Sequence, residues 1–251
     1  MNYCKMFMMT PTLSRGWQLS LILLIATGGA CQTPEIRPVR PLEQIRSNAL
    51  LAVPPVEVGH FRSPDLVELS SVDLLLKLDI RYATSNNFLS APVYDEPRAF
   101  LQRPAAEALS RVNRELRSLG YGLIIFDAYR PWFVTKIFWD ATPPELHAYV
   151  SDPANGSRHN RGCAVDLTLF KLSTGDAVPM PSGFDEFSER ASPNFGGGTA
   201  DERANRDLLK EAMESEGFSV YPTEWWHFDY KGWEKYRILN KSFSELHAAQ
   251  P

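Results

Sequence analysis

Residues 157–170 read Ser-Arg-His-Asn-Arg-Gly-Cys-Ala-Val-Asp-Leu-Thr-Leu-Phe. The first half is polar and runs to Gly162, as a loop does. The second half, Cys163 to Phe170, alternates and predicts a strand. Asp166 interrupts that strand among Val165, Leu167 and Leu169. An ionised carboxylate there is costly unless it is paired or coordinated.

Outward from this segment the chain mixes helices and strands. Tyr121 to Phe126 (YGLIIF) predicts a buried strand, Val72 to Tyr82 (VDLLLKLDIRY) another, and Glu224 to Tyr230 (EWWHFDY) a third. Ala105, Ala108, Leu109, Val112, Leu116 and Leu119 repeat with helical spacing over Pro104–Leu119, and Gly120 stops them. Further helices are predicted from Pro131 to Trp139, from Asp201 to Glu216 ahead of Gly217, and at the C-terminus. No βαβ beat connects these elements. The expectation is an α+β fold, a mainly antiparallel central sheet flanked by helices in a single catalytic domain.

With 44% hydrophobic and 22% charged positions in 251 residues, the chain can bury a sizeable core. A net charge of −4 without a Lys/Arg block predicts no nucleic-acid partner. Lys5 and Arg15, the apolar run from Trp17 to Ala26 and the small residues before Cys31 read as a signal peptide over residues 1–31. The run is too short to span a bilayer. Residues 32–60 carry Pro34, Pro38, Pro41, Pro54 and Pro55 and read as a Pro-rich tether, with the domain proper at 61–251.

The chain has five His, and two keep unusual company. His159 ends the loop before the Asp166 strand, and His227 lies in Glu224-Trp-Trp-His227. A His at the loop mouth and a His on a neighbouring strand can complete a His-Asp-His set. Three protein ligands with an open fourth position describe a catalytic zinc site. Glu224 precedes His227 by three, an odd offset that points strand side chains to opposite faces. It can serve as a general base on water at the metal only if the segment bends or Glu224 sits at the preceding loop, which Pro222 makes reasonable. Singly, each residue has a plainer reading: a satisfied core His, a surface Glu.

The order Ser157-x-His159-x-x-Gly162-x-Ala164-x-Asp166, followed by Glu224-x-Trp-His227, resembles the zinc D-Ala-D-Ala peptidases, and most closely the D-alanyl-D-alanine dipeptidases of the VanX type. Tyr82-Ala-Thr-Ser-Asn-Asn-Phe88, Phe126-Asp-Ala-Tyr-Arg130-Pro131 and Phe184-Asp185-Glu-Phe-Ser-Glu-Arg190 extend the likeness from about residue 72 to 230. The resemblance implies one Zn2+ per chain on His159, Asp166 and His227, Glu224 as general base and Arg130 as oxyanion-stabilising cation. It implies Asp185 as the carboxylate for the substrate ammonium and Ser157 as a substrate-contacting or site-shaping serine. Plainer readings remain for three of these: a strand-end ion pair for Arg130, a helix N-cap for Asp185, a loop cap for Ser157. Arg158 departs from the small polar residue expected beside the ligand His. Cys31 resembles a lipobox cysteine, implying an exported, periplasmic, lipid-anchored protein with a membrane tether; Gly28-Gly29-Ala30 also suits ordinary signal-peptide cleavage. The expected substrate is a small D,D-dipeptide. Two competing readings are a D,D- or L,D-carboxypeptidase trimming peptidoglycan stems and a non-catalytic peptidoglycan- or zinc-binding module.

Overall fold

The computed structural model describes residues 36–248, so the expected signal peptide and Cys31 lie outside the described residues. In chain order the elements are α1 (Leu42–Leu51), β1 (Leu66–Glu68), α2 (Leu69–Val72), β2 (Lys77–Leu78), β3 (Phe100–Gln102), α3 (Arg103–Ser118) and β4 (Tyr121–Asp127). They continue with α4 (Trp132–Ala141), β5 (Ala164–Lys171), α5 (Ala200–Ser215), β6 (Phe218–Tyr221), β7 (Glu224–Tyr230) and α6 (Phe243–Ala248). The main sheet has the order β2-β4-β5-β7-β6. Every pair in it is antiparallel except β2 with β4, so the α+β expectation holds with one parallel edge. β1 and β3 form a separate antiparallel pair.

α3 forms where its spacing predicts and buries Ala105, Ala108, Leu109, Val112 and Leu116. It packs on β4 and α5, while α5 packs on β5, β6 and β7. Asn113 ties α3 to the sheet: its side-chain oxygen accepts from Leu123 N–H at 3.2 Å. α5 opens on a reciprocal capping box between Thr199 and Glu202. β5 is buried along its length except at Lys171, so both of its faces are covered and its alternation does not mark a solvent face.

Two expectations change. Val72 to Tyr82 is not one strand: only Lys77 and Leu78 pair, at the sheet edge, between α2 and a 3-10 turn at Arg81–Ala83. Leu74 and Leu75, which made the run look like core, are exposed. Residues 36–60 are not tether throughout. α1 buries Ile45 and Ala49, four apart on one helix face, and packs on α4. Pro41 precedes that helix without interrupting it, and Ile36 N–H donates to Phe88 C=O at 2.8 Å. Beyond α1 the chain has no regular structure up to β1, with Val53, Val56 and Val58 exposed.

Candidate active site and metal centre

Strand register builds the centre. Asp166 of β5 stands directly opposite Asp127 of β4 on one side and His227 of β7 on the other. Directly opposed residues share a sheet face, so three side chains meet in one row. His159 joins them from the 3-10 turn His159–Arg161. Ser157 Oγ accepts from His159 N–H at 3.2 Å, and Asn160 accepts from Ser157 N–H at 2.7 Å, so Ser157 caps the loop while also lining the cavity. Gly162 ends the turn in the left-handed region at φ 66°. An alanine there costs about 1–2 kcal/mol in backbone strain, and its Cβ would crowd Leu66 Cδ2. Gly162→Ala is expected to lower unfolding stability by at least that amount; an unchanged denaturation midpoint would contradict the loop conformation.

The orientation of the two rings is set by their outer nitrogens. His159 Nδ1 lies 2.6 Å from Ala128 C=O, an acceptor that requires N–H there. His227 Nε2 lies 3.0 Å from Asp229 Oδ1. The inner nitrogens, His159 Nε2 and His227 Nδ1, are 3.1 Å apart and stand 3.3 and 3.0 Å from Asp166 Oδ1. All three side chains are buried. Asp166 Oδ1 is itself buried with no hydrogen-bond partner. Two imidazole nitrogens and an orphaned carboxylate oxygen that converge in this way fit a divalent cation. Burial opposes ionisation of Asp166, but His159 and His227 hold its carboxyl well below the usual range. Burial likewise opposes a charged His227, while the Asp166 and Asp229 carboxylates facing its two nitrogens hold the imidazolium proton well above the usual range. That proton answers the same negative charge a divalent cation would.

Glu224 is the first residue of β7, after the turn at Pro222–Thr223 and beside a register shift between Val220 and Tyr221. This irregularity lets an odd offset serve one face: Glu224 Oε2 lies 3.7 Å from His227 Nδ1. Burial pushes its carboxyl up to about 7; the His227 charge opposes that and Asp166 adds to it.

Arg130 lines the same cavity and is buried. It makes the strand-end ion pair as well: Nε and Nη2 donate to Asp127 Oδ2 at 2.9 and 2.7 Å, and Nη2 lies 3.8 Å from Asp166 Oδ2. Asp185 caps no helix; the next helical turn, Glu189–Ala191, is capped by Ser188. Instead Asp185 adopts φ 57° and receives the Tyr82 hydroxyl at 3.0 Å on each carboxylate oxygen. Burial, with the Asp166 charge, pushes its carboxyl well above the usual range.

All seven expected site residues line this one cavity. Sequence reasoning missed the work of Asp127 and Tyr82. The i,i+3 acid–base spacing of Asp127 and Arg130 was a signal for the first; Tyr82 opens one of the motifs that carry the resemblance, but its partner, 103 residues away, was not legible. Cys163, just before β5, is buried, and burial raises its thiol to about 12.

The D-ala-D-ala dipeptidase family model matches residues 62–248. The chain belongs to the D-Ala-D-Ala dipeptidase family. It is a metallopeptidase. The D-alanyl-D-alanine dipeptidase of Escherichia coli K12 is 34% identical over 180 residues, covering 72% of this chain and 92% of the relative. That of Enterococcus faecium is 36% identical over 174 residues, covering 61% and 85%. A solved structure of the LdcB LD-carboxypeptidase aligns at TM-score 0.39 and 18% identity over 75% of this chain and 80% of that one, too remote to bear on the dipeptidase assignment.

Proposed function

We propose that this dipeptidase hydrolyses D-alanyl-D-alanine with one zinc ion held by His159, Asp166 and His227 and with Glu224 as general base. The observation that carries the reading is the converging His159-Asp166-His227 donor set, with its orphaned Asp166 Oδ1 and with Glu224 Oε2 3.7 Å from His227 Nδ1, all in one cavity. Zinc supplies Lewis acidity to such a site and lowers the pKa of water to about 7. The remaining work falls to the chain. Glu224 takes a proton from the attacking water and returns it to the leaving amine. Arg130 presents fixed N–H donors to the oxyanion, held in place by Asp127. Asp185, oriented by Tyr82, receives the substrate ammonium, and that partner restores the charge that burial disfavours. Ser157 shapes the loop that presents His159. Export through residues 1–31, with lipid on Cys31, belongs to the same proposal and is supported by the apolar run and the Gly28-Gly29-Ala30-Cys31 order.

The test compares D-Ala release from D-Ala-D-Ala and from a D-Ala-D-Ala-terminated stem pentapeptide, with zinc present. Release from the dipeptide alone is the expected result. Release from the pentapeptide instead makes the protein a carboxypeptidase and removes Asp185 from its role. Silence on both, with zinc bound, leaves a binding module. Asp185 also predicts selectivity: Asp185→Asn should lower kcat/KM for the free dipeptide by about tenfold to a hundredfold, the worth of a charge-assisted hydrogen bond. The loss should be small for N-acetyl-D-Ala-D-Ala, which carries no ammonium. Equal losses on both substrates would rule the ammonium contact out.

A further inference from the structure

His227 faces the donor set with Nδ1, so its presentation depends on what holds Nε2. Asp229, two residues along β7, accepts from Nε2 at 3.0 Å. Behind Asp229 stands Arg158, with Nε 3.5 Å from Asp229 Oδ2. Arg158 is held in turn by two rings: its guanidinium carbon lies 4.6 Å from the centroid of Trp233 and 5.7 Å from that of Tyr221. Arg158 also lines the cavity, yet its guanidinium nitrogen is turned toward Asp229 on the far side of His227. It adjoins His159 in the chain, so one loop supplies a donor and the support for another.

We propose that Asp229 and Arg158 are positioning residues for His227. Asp229 fixes the imidazole with Nε2 protonated and Nδ1 free for the metal, and Arg158 fixes Asp229. The proposal rests on the reading of His227 as a metal ligand. Both act on the site through His227.

The test measures Zn2+ affinity of the full chain by competition with a chromophoric chelator, and the visible absorption of the Co2+-loaded protein. Asp229→Ala should weaken Zn2+ binding by about tenfold to a hundredfold, as loss of a ligand's supporting partner does, and should alter the Co2+ bands. Asp229→Asn keeps an acceptor but no charge, so its loss should be smaller. Arg158→Ala should also lose affinity, yet add nothing to Asp229→Ala, because it acts through that carboxylate. If Asp229→Ala does not fold, Asp229→Asn and Arg158→Ala carry the same test. Affinity and Co2+ bands indistinguishable from wild type in the folded Asp229 variants would overturn the proposal. Additive losses would overturn the part given to Arg158. A wild-type chain that binds no Zn2+ would instead bring down the metal reading itself.

Discussion

Glu224→Gln is expected to lower kcat for D-Ala-D-Ala by about 10²–10⁴-fold, the range for loss of a positioned general base. Glutamine keeps the size of the side chain but cannot accept a proton from water. Glu224 is not a member of the His159-Asp166-His227 donor set, so zinc content should remain one per chain. The buried site raises this carboxyl to about 7, which makes its carboxylate form a stronger base than an exposed glutamate. The sign of the pH dependence follows. The base works only when ionised, so kcat/KM falls as pH drops through the Glu224 pKa. A cation at the neighbouring centre favours the ionised form and moves that acid limb below 7. Turnover by Glu224→Gln within tenfold of wild type, with zinc retained, would assign the base elsewhere.

Arg130→Ala should lose both turnover and stability. Removing one donor aimed at developing charge costs about 10²–10³-fold in kcat. The stability cost comes from Asp127, which is 1% exposed and accepts both Arg130 bonds together with the Tyr94 hydroxyl at 2.6 Å. Stripping the cation leaves a buried charge unmatched, at about 3–5 kcal/mol. The two losses separate in the double variant Asp127→Asn with Arg130→Met. It removes both charges and retains an acceptor for Tyr94, so the unfolding midpoint should recover most of the way while turnover does not. Recovery of both would reduce Arg130 to a structural ion pair. Recovery of neither would mean that the strand end needs the ionic pair itself.

The metal centre was legible because its members lie on elements that local sequence describes well. Asp166 betrayed itself as an acid inside an apolar strand, and Cys163–Phe170 and Glu224–Tyr230 formed within a residue of their expected bounds. The Glu224 offset was recognised as a difficulty, and the hairpin irregularity at Tyr221 resolves it. Contacts between distant residues were not legible. Tyr82 with Asp185 and Arg158 with Asp229 join segments whose approach depends on the packed fold. Composition misled twice. The prolines of 32–60 hid α1, because Pro41 falls just before the helix and not inside it, and the leucines of 74–76 suggested a strand where the chain runs along an exposed edge.

Because Asp127, Asp166 and His227 occupy one row across β4, β5 and β7, the active site constrains chain length in these strands as strictly as chemistry. A single inserted or deleted residue between the ends of β5 or β7 turns everything beyond it to the opposite side of the sheet. Most apolar positions there can exchange one aliphatic residue for another, but a single residue gained or lost parts the three acidic and imidazole groups unless a bulge absorbs it, as one does in β4 between Ile125 and Asp127. Over evolutionary time, length variation should therefore collect in the connections, such as residues 172–199, and spare the strands. The backbone ladder thus keeps the spacing of these side chains while loops around it diverge.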